Sequence, residues 1–513
     1  MKKNFLAAFY GILVTLALPP VNLFPLAIIG FSGFFLMILA ATSRKNAFKI
    51  GWWFGFGHFT AGLYWIAFAL LVDAANFGWL IPFTVFGIPA VIAVYTAIVA
   101  ALTWHAAKFF KGWRLVVIFS CIWTIIEMLR GWLFTGFPWN LAGYIWTASD
   151  NMLQFTSLTG IWGLSLVTVL AFGMPALLVV SGQWSVTRKS LTPVIITFVL
   201  LLGIFFWGGY RLSHAENQFV PYVKLRLVQA NIPQNMKWEE EWRYSTVQKY
   251  LDMSQSEGFE SITHIIWPET ALPFVISEDA AILDVIAKIA PENGAVITGT
   301  LRAEYTESGV MKDMWNSLAV ITSKGKLYSY YDKSHLVPFG EYVPFRSILP
   351  LEKITKGSID FAEGDGPKTI SAPGFPSFSG LVCYEVIFPG KVKDKSNLPS
   401  VLINVTNDAW YGNTAGPYQH FQMTRTRAVE EGIPLIRVAN NGISGVIDGY
   451  GRVIKKTSLS TTAILDSELP AKISTPTPYS RHGNLIVIFL IGILLVISCL
   501  YHFHIKDEVG VRG

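Results

Sequence analysis

The segment GLVCYE at residues 380–385 decides the fold of the polar half of this chain. Small and branched apolar residues are followed at once by a thiol, a ring and a carboxylate, as in a buried strand that ends in polar side chains. Six further runs have this character: KLRLVQANI (224–232), HIIWPE (264–269), GAVITGTL (294–301), SLAVITS (317–323), VLINVTND (401–408) and LIRVANN (435–441). Turn residues bound each run, so we predict a strand at each.

Helical patterns separate several of these strands, over 239–256, 278–291 and 418–431. The triplet at 323–325, Ser-Lys-Gly, predicts a hairpin turn between two antiparallel strands. Strands that alternate with helices in this way bury both faces of their sheet. The sequence therefore predicts an α/β layered sandwich.

The chain as a whole is more apolar than a soluble protein, because 52% of all residues are hydrophobic and only 14% are charged. The apolar residues are concentrated outside the segment described above. A membrane helix needs about 20 apolar residues. Such runs predict spans near 5–19, 24–41, 50–71, 79–106, 115–134, 155–180, 193–209 and 484–504. We therefore divide the chain into a seven-span helix bundle (1–210), a soluble domain (211–483) and a last span with a short tail (484–513).

Positive charges in the short loops predict the orientation, because loops rich in lysine and arginine stay in the cytoplasm. They alternate along the path, at 2–3, 44–49, 108–114 and 188–189, whereas the loops at 20–23 and 72–78 have none. The pattern predicts a cytoplasmic N-terminus and places the 211–483 domain on the outer side of the membrane. The same flanking charges account for the net charge of +6, and no basic cluster suggests nucleic acid.

Only Cys383, among three cysteines, lies outside the apolar runs, so the soluble domain can have no internal disulfide. We find no metal-ligand spacing and predict neither a metal nor another cofactor. Cys383 ends one predicted strand, Glu269 follows another, and Lys333 ends the strand LYSYYDK. Taken singly, each has an ordinary explanation as a solvated charge or a packed thiol.

Together, these three residues supply a nucleophile, a base and a cation at strand ends, where α/β sheets place their chemistry. A free thiol, with a pKa of about 8.5, is only slightly ionised at neutral pH. We expect Glu269 to accept the thiol proton. We expect the charge of Lys333 to favour the thiolate and then to stabilise an oxyanion.

Three motifs that contain these residues, WPET (267–270), YDKSHLVPFGEYVPF (331–345) and LVCYEVIFP (381–389), resemble the signatures of the nitrilase, or carbon–nitrogen hydrolase, superfamily. With the apolar spans, the whole chain resembles the apolipoprotein N-acyltransferase family. The further matches are TGFPWN (135–140), QANIPQNMKW (229–238), NDAWYG (407–412) and VANNGISG (438–445). The resemblance implies a nitrilase-like αββα sandwich inserted in a polytopic bundle of about eight transmembrane helices.

The resemblance also implies roles for individual residues. Cys383 would carry an acyl chain as a thioester, with Glu269 as base and Lys333 as the partner of the oxyanion. Glu341 would support Lys333. Three further positions would handle substrate near the nucleophile: Trp238, Tyr384 and Glu385.

The implied activity is transfer of an acyl chain from a membrane phospholipid to the α-amine of a diacylglyceryl-cysteine at the N-terminus of an apolipoprotein. The implied location is the bacterial inner membrane, as a monomer with its catalytic domain in the periplasm. Two alternatives remain open: a membrane-tethered nitrilase-type amidase, and a transporter or scaffold with an inactive nitrilase-like domain. An assay of acyl transfer against amide hydrolysis separates the two enzymes.

One further candidate lies in the fifth predicted span, where Glu127 and Arg130 stand three residues apart and can face each other on a helix. Ionisable residues inside a membrane segment are candidates for function. We expect Arg130 to approach a lipid phosphate. The alternative is an ion pair that anchors the helix at the interface.

Overall fold

The structure is a computed structural model that describes residues 1–180, 183–184, 186–237, 239–276, 280–344, 353 and 360–510. The chain forms two compact units. The first, called the helical unit, comprises Met1–Tyr64, Leu80–Ala215 and Thr477–Gly513, and the second, called the sheet unit, comprises Trp65–Trp79 and Glu216–Pro476. Each unit is described by itself below.

The helices and strands are numbered in chain order. The α-helices are α1 (Lys2–Thr15), α2 (Phe24–Leu39), α3 (Arg44–Leu63), α4 (Ala74–Phe77), α5 (Ile88–Ala106), α6 (Trp113–Arg130), α7 (Asp150–Leu153), α8 (Thr156–Gly173), α9 (Arg188–Ser213), α10 (Glu240–Ser254), α11 (Ala280–Ala287), α12 (Ala415–Glu431), α13 (Pro478–His482) and α14 (Leu485–Gly510). The strands are β1 (Val179–Val180), β2 (Gln183–Trp184), β3 (Phe219–Gln229), β4 (His264–Ile266), β5 (Ala295–Tyr305), β6 (Met311–Ile321), β7 (Leu327–Asp332), β8 (Thr369–Ala372), β9 (Phe375–Val382), β10 (Val401–Thr406), β11 (Leu435–Ala439), β12 (Gly445–Ile447), β13 (Val453–Lys456) and β14 (Ala463–Pro470).

Apolar helices make up most of the helical unit. Four helical stretches among the described residues are long and apolar enough to cross a membrane: Arg44–Leu80, Phe83–Ala106, Thr156–Leu178 and Arg188–Ser213. Two shorter helices, Phe24–Leu39 and Leu485–Leu500, are also apolar. All six coincide with predicted spans, and α1 and α6 coincide with the other two.

The sheet unit contains two six-stranded sheets, with strand orders β14-β3-β4-β5-β6-β7 and β13-β12-β11-β10-β9-β8. Parallel pairs lie at the centre of each sheet, β3-β4-β5 in the first and β9-β10-β11 in the second. The predicted hairpin is present, because β6 and β7 pair in antiparallel fashion around the turn. Parallel central strands bring several carboxyl ends to one edge of each sheet.

The hydrophobic core of the sheet unit lies between the two sheets. Side chains from both inner faces meet there, among them Leu227, Ile297, Val382, Ile403 and Val438. On the outer face of the first sheet, α10 and α11 pack against β3, β4 and β5. Because α12 contacts β11 of the other sheet, the layers follow the order helix, sheet, sheet, helix, as an αββα sandwich requires.

The predicted elements differ from the structure at the sheet edges. All eight predicted strands are present, but β8, β12, β13 and β14 were not predicted, and β5 and β6 extend beyond their predicted ends. The segment Trp65–Trp79 is a second difference, because the sequence predicts a membrane span up to residue 71 and a loop at 72–78, whereas the segment belongs to the sheet unit. There the ring of Trp65 lies 4.6 Å from the ring of Tyr411.

Candidate active site

Glu269 lies on a tight turn three residues beyond the end of β4. The next residue, Thr270, has a φ of 47°, so the chain reverses direction directly after the carboxylate. Gly299 on β5 lies under this turn, and a Cβ atom at that position would approach the Cα of Glu269 to 2.5 Å. The turn therefore depends on a glycine opposite to it.

The two oxygens of the Glu269 carboxylate have different surroundings. Oε1 accepts a hydrogen bond of 2.9 Å from Nδ2 of Asn316 and lies 3.9 Å from Nζ of Lys333. Oε2 is buried and has no hydrogen-bond partner in the part of the chain that the structure describes. A buried carboxylate oxygen without a donor is free to take a proton from a substrate or a nucleophile.

Lys333 follows β7 directly and is 1% exposed. Its Nζ lies 2.8 Å from Oε2 of Glu341 and donates to Oε1 of the same carboxylate at 3.0 Å. Burial alone would lower the pKa of Lys333, but the charges of Glu341 and Glu269 raise it above its ordinary value. The ammonium group therefore stays charged throughout the physiological range.

Glu341 is held by donors on both of its oxygens. Nδ2 of Asn316 donates to Oε1 at 3.0 Å, and the backbone N–H of Val337 donates to Oε2 at 2.8 Å. Asn316 thus joins the carboxylates of Glu269 and Glu341. These contacts suit Glu341 to hold Lys333 in place and leave Glu269 as the carboxylate with a free oxygen.

Cys383 is the first residue after β9 and begins the short 3₁₀-helix Cys383–Ile387. Its φ of 53° is unusual for a residue with a side chain, and its carbonyl accepts a hydrogen bond from Nδ2 of Asn404 at 3.3 Å. Such a φ marks a strained turn at the end of the strand, and the thiol lies on this turn. The side chain is buried, as expected for a nucleophile that must be shielded from water.

The charge of Lys333 favours the thiolate, as expected, but burial and the negative charge of Glu269 outweigh it. Together they raise the pKa of Cys383 to about 12, so the thiol is un-ionised at rest. The sequence could not predict this outcome because it does not show how deeply the thiol lies. Deprotonation must therefore accompany attack on the substrate, which requires a base such as Glu269.

The structure brings Glu269, Lys333 and Cys383 into one buried site, although they come from three separate strand ends. The charges of Glu269 and Lys333 both act on the thiol, and their own side chains lie 3.9 Å apart. The first two come from one sheet and Cys383 from the other. The site can therefore form only when the two sheets pack together.

Glu385 joins the turn of Cys383 to the segment that follows Lys333. Oε2 accepts from the backbone N–H of Val382 at 2.7 Å, while Oε1 accepts from the hydroxyl of Tyr331 at 2.7 Å. Oε1 also accepts from the backbone N–H groups at 334 and 335 and from the hydroxyl at 334. These contacts suit Glu385 to position the nucleophile and the lysine.

Tyr384 lies beside the nucleophile, and its ring is in contact with the rings of His335 and Phe388, at 5.8 Å and 5.0 Å between centroids. The position of Trp238, the other aromatic residue predicted to handle substrate, lies outside the described residues. An aromatic layer of this kind can cover the thiol on one side.

The sequence analysis missed a buried cluster next to this site. Asp408 accepts hydrogen bonds from Arg437, at 2.7 Å and 3.0 Å, and lies 3.0 Å from Nδ1 of His420. Arg437 also donates to Asn404, which in turn donates to the carbonyl of Cys383. Asp408 ends the predicted strand VLINVTND and lies in the motif NDAWYG, but no sequence signal placed the other members beside it.

Arg130 in the helical unit is 4% exposed. Its Nη1 donates to the carbonyls of Phe137 and Trp139 at 2.6 Å and 2.8 Å, while Oε1 of Glu127 accepts from the backbone N–H of Ala142 at 2.9 Å. These contacts fold the segment after α6 back onto the helix. They do not favour a lipid phosphate as the partner of Arg130, and that contact stays a prediction without support.

Comparisons with known proteins show which family the chain belongs to. Residues 10–174 match the family described as Apolipoprotein N-acyltransferase N-terminal domain, and residues 224–479 match the family described as Carbon-nitrogen hydrolase. Among its relatives, the chain is similar to the Apolipoprotein N-acyltransferase of Rhodopseudomonas palustris, with 37% identity over 97% of this chain and 95% of the relative.

Two further relatives have the same name. The protein of Rickettsia prowazekii is 36% identical over 98% of this chain and 99% of its own length, and that of Bradyrhizobium diazoefficiens is 38% identical over 97% and 94%. Since these matches run over both units and at this level of identity, the chain belongs to the apolipoprotein N-acyltransferase family.

Proposed function

We propose that the chain transfers an acyl group from a membrane phospholipid, through a thioester on Cys383, to the α-amine of an apolipoprotein's N-terminal diacylglyceryl-cysteine. The observation that carries the proposal is Oε2 of Glu269, which has no hydrogen-bond partner among the described residues and lies in a buried site that also holds a thiol and a charged lysine. Family membership supports the choice of substrates.

In the first half-reaction, Oε2 of Glu269 accepts the proton of the Cys383 thiol while the sulfur attacks the ester carbonyl of the phospholipid. Negative charge develops on the carbonyl oxygen, and the ammonium group of Lys333 stabilises it. One such donor is worth roughly 3 kcal/mol to a transition state. The ester C–O bond then breaks, and Glu269 returns its proton to the departing alkoxide, which leaves as a lysophospholipid.

In the second half-reaction, the neutral α-amine of the acceptor attacks the thioester carbonyl. Glu269 accepts a proton from the attacking nitrogen, Lys333 again stabilises the oxyanion, and the C–S bond breaks. The sulfur recovers a proton from Glu269, so the enzyme ends as it began. A thioester survives between the two halves only if water is excluded, and the low exposure of all three residues meets this need.

We propose that the donor comes from the bilayer because the helical unit supplies apolar helices of spanning length. We also propose eight spans, from the lengths of the apolar runs, and a periplasmic sheet unit, from the loop charges. Trp238 and Tyr384 are proposed to contact substrate beside the thiol. A monomer is proposed as the active form.

The test combines the purified full chain with a phospholipid that carries a labelled acyl chain and a synthetic diacylglyceryl-cysteinyl peptide. We expect labelled N-acyl peptide, and none from the Cys383→Ala variant. Cys121→Ala and Cys499→Ala are matched controls that should keep the activity, since both cysteines lie in the helical unit. Release of free fatty acid without acylated peptide would instead indicate a hydrolase.

A second test addresses the proposed topology. A membrane-impermeant thiol reagent is applied to intact spheroplasts that express a cysteine at Lys324, in the exposed hairpin turn of the sheet unit. The variant should have Cys121 and Cys499 replaced. Labelling at Lys324→Cys without lysis is expected, and labelling only after lysis would overturn the periplasmic assignment.

A further inference from the structure

A second buried lysine, Lys237, lies beside the proposed catalytic residues. Lys237 lies in the turn region between β3 and α10 and is 3% exposed. Its Nζ donates a hydrogen bond of 2.8 Å to the backbone carbonyl of Glu269. Lys237 therefore holds the turn on which the proposed base, Glu269, lies.

The two lysines of the centre have different partners. Lys333 lies between the carboxylates of Glu341 and Glu269, whereas the described hydrogen-bond partner of Lys237 is a neutral carbonyl. The titratable groups that act on Lys237 are Glu269 and Cys383. Because a carbonyl compensates a buried ammonium less than a carboxylate does, Lys237 can lose its proton more readily than Lys333.

The pKa values of the two lysines shift in opposite directions. Burial lowers the pKa of Lys237 to about 8, although Glu269 and Cys383 partly oppose the shift. Lys237 is thus charged at neutral pH and loses its charge as the pH rises through 8. The pKa of Lys333 is raised, so its charge does not change in this range.

A protonated Lys237 adds a second ammonium group to a centre in which Lys333 lies near the carboxylates of Glu341 and Glu269 and also acts on that of Glu385. Transfer of the thiol proton to Glu269 moves one negative charge to the sulfur and leaves the net charge of the centre unchanged. Without the charge on Lys237, the developing thiolate depends on Lys333, whose ammonium already pairs with Glu341.

Besides burial and the charge of Glu269, the negative charge of Asp408 also raises the pKa of Cys383. However, Asp408 is paired with Arg437 at 2.7 Å within its own cluster.

We propose that Lys237 is a positioning residue of the acyl transfer, which holds the Glu269 turn by its backbone and supplies the second positive charge that thiolate formation on Cys383 requires. The inference rests on the proposed function for its place in the reaction. Its test, however, requires only the reactivity of the thiol.

The test measures alkylation of Cys383 by iodoacetamide between pH 6 and 10 in the full chain with Cys121 and Cys499 replaced. At pH 7, Lys237→Met should react about tenfold more slowly than the parent protein, which equals a rise of one unit in the thiol pKa. Lys237→Arg, whose charge does not titrate, should react at the parent rate at pH 7. Lys324→Met, at an exposed lysine of a turn, is the matched control and should behave as the parent.

The pH profile separates charge from mere packing. In the parent, the rise of alkylation with pH should flatten near pH 8, where Lys237 loses its charge, and Lys237→Arg should show no such inflection. Equal rates for parent and Lys237→Met at pH 7, or the same inflection in Lys237→Arg, would overturn the proposal. If Lys237→Met does not fold, the comparison of the parent with Lys237→Arg decides alone.

Failure of the proposed function would have another signature. In that event no acyl chain would reach Cys383 from phospholipid, while the alkylation rates would still differ among the Lys237 variants. If acylation does occur, the parent should lose its rate of thioester formation above about pH 8, and Lys237→Arg should keep it to higher pH.

Discussion

Two buried clusters of charged residues lie side by side in the sheet unit, and they differ in what is left unpaired. In the catalytic cluster of Glu269, Lys333 and Cys383, one carboxylate oxygen has no donor among the described residues. In the supporting cluster of Asp408, His420 and Arg437, both oxygens of the carboxylate accept hydrogen bonds.

This difference distinguishes the carboxylate that is proposed to react, Glu269, from the one that stabilises the fold, Asp408. Although burial alone would raise it, Arg437 and His420 hold the pKa of Asp408 below its ordinary value, so its negative charge is fixed. Glu269 shares its environment with a thiol whose pKa is raised, and it keeps a free oxygen to receive the proton. This contrast supports the proposed role of Glu269 as the base and a structural role for Asp408.

Glu269→Gln should give the largest effect on rate. The amide retains an acceptor for Asn316 but places a donor where the free oxygen was, so it cannot accept the thiol proton. We expect thioester formation to fall by about 10²- to 10⁴-fold with little change in the unfolding temperature. The measurement is single-turnover acylation by phospholipid, with Glu307→Gln at an exposed position as control.

The main effect of Asp408→Asn should be a loss of stability of the folded protein. The substitution leaves the buried guanidinium of Arg437 without its full counter-charge, which costs about 3–5 kcal/mol. A thermal unfolding scan should show a large fall in midpoint. Asp313→Asn is the control, because its pairing with Lys312 at 3.7 Å is at the surface and should contribute less than about 1 kcal/mol. A stable Asp408→Asn protein would remove the distinction between the clusters.

Gly299→Ala tests how closely the position of Glu269 is controlled, because the substitution should shift the carboxylate without removing it. The new methyl group would lie 2.5 Å from the Cα of Glu269 and must displace the turn. A displacement of this kind costs up to about 10²-fold in rate. Steady-state turnover measures it, with Gly203→Ala as control, where an added Cβ meets no atom within 4 Å. Unchanged turnover would show that the turn can shift without an effect on the reaction of Glu269.

The acid dependence of stability should show the smallest effect. Because the pKa of Asp408 is depressed in the folded protein, its stabilisation is complete above the ordinary pKa of about 4 and is lost as the pH falls below it. Between pH 5 and 3 the parent should lose up to about 1.4 kcal/mol per pH unit from this group. Asp408→Asn should have a correspondingly shallower slope of unfolding temperature against pH, and an equal slope would contradict the assignment.

Much of the catalytic cluster could be predicted because its residues stand at the ends of strongly β-branched runs. The periodicity of the strands placed Glu269, Lys333 and Cys383 at sheet edges, and the motifs around them carried the resemblance. The pKa of the thiol could not be predicted. Its value depends on burial, which needs the packing of both sheets.

The supporting cluster and the sheet edges could not be predicted for a different reason. Arg437 lies within a strand run and His420 within a helix, and neither pattern shows which face turns inward toward Asp408. Strand β14 is interrupted by charged residues, since it lies at an edge and alternates between core and solvent. Trp65–Trp79 is apolar whether it contacts lipid or protein, so hydropathy could not assign it to the sheet unit.

The most direct test of the central claim is the mass of the protein after incubation with one phospholipid of defined acyl chains. We predict an increase equal to one acyl group, located on the peptide that contains Cys383, removed by hydroxylamine and discharged by the diacylglyceryl-cysteinyl peptide. An unmodified Cys383 in a preparation that still acylates the peptide would contradict the account, as would an adduct that persists in Cys383→Ala.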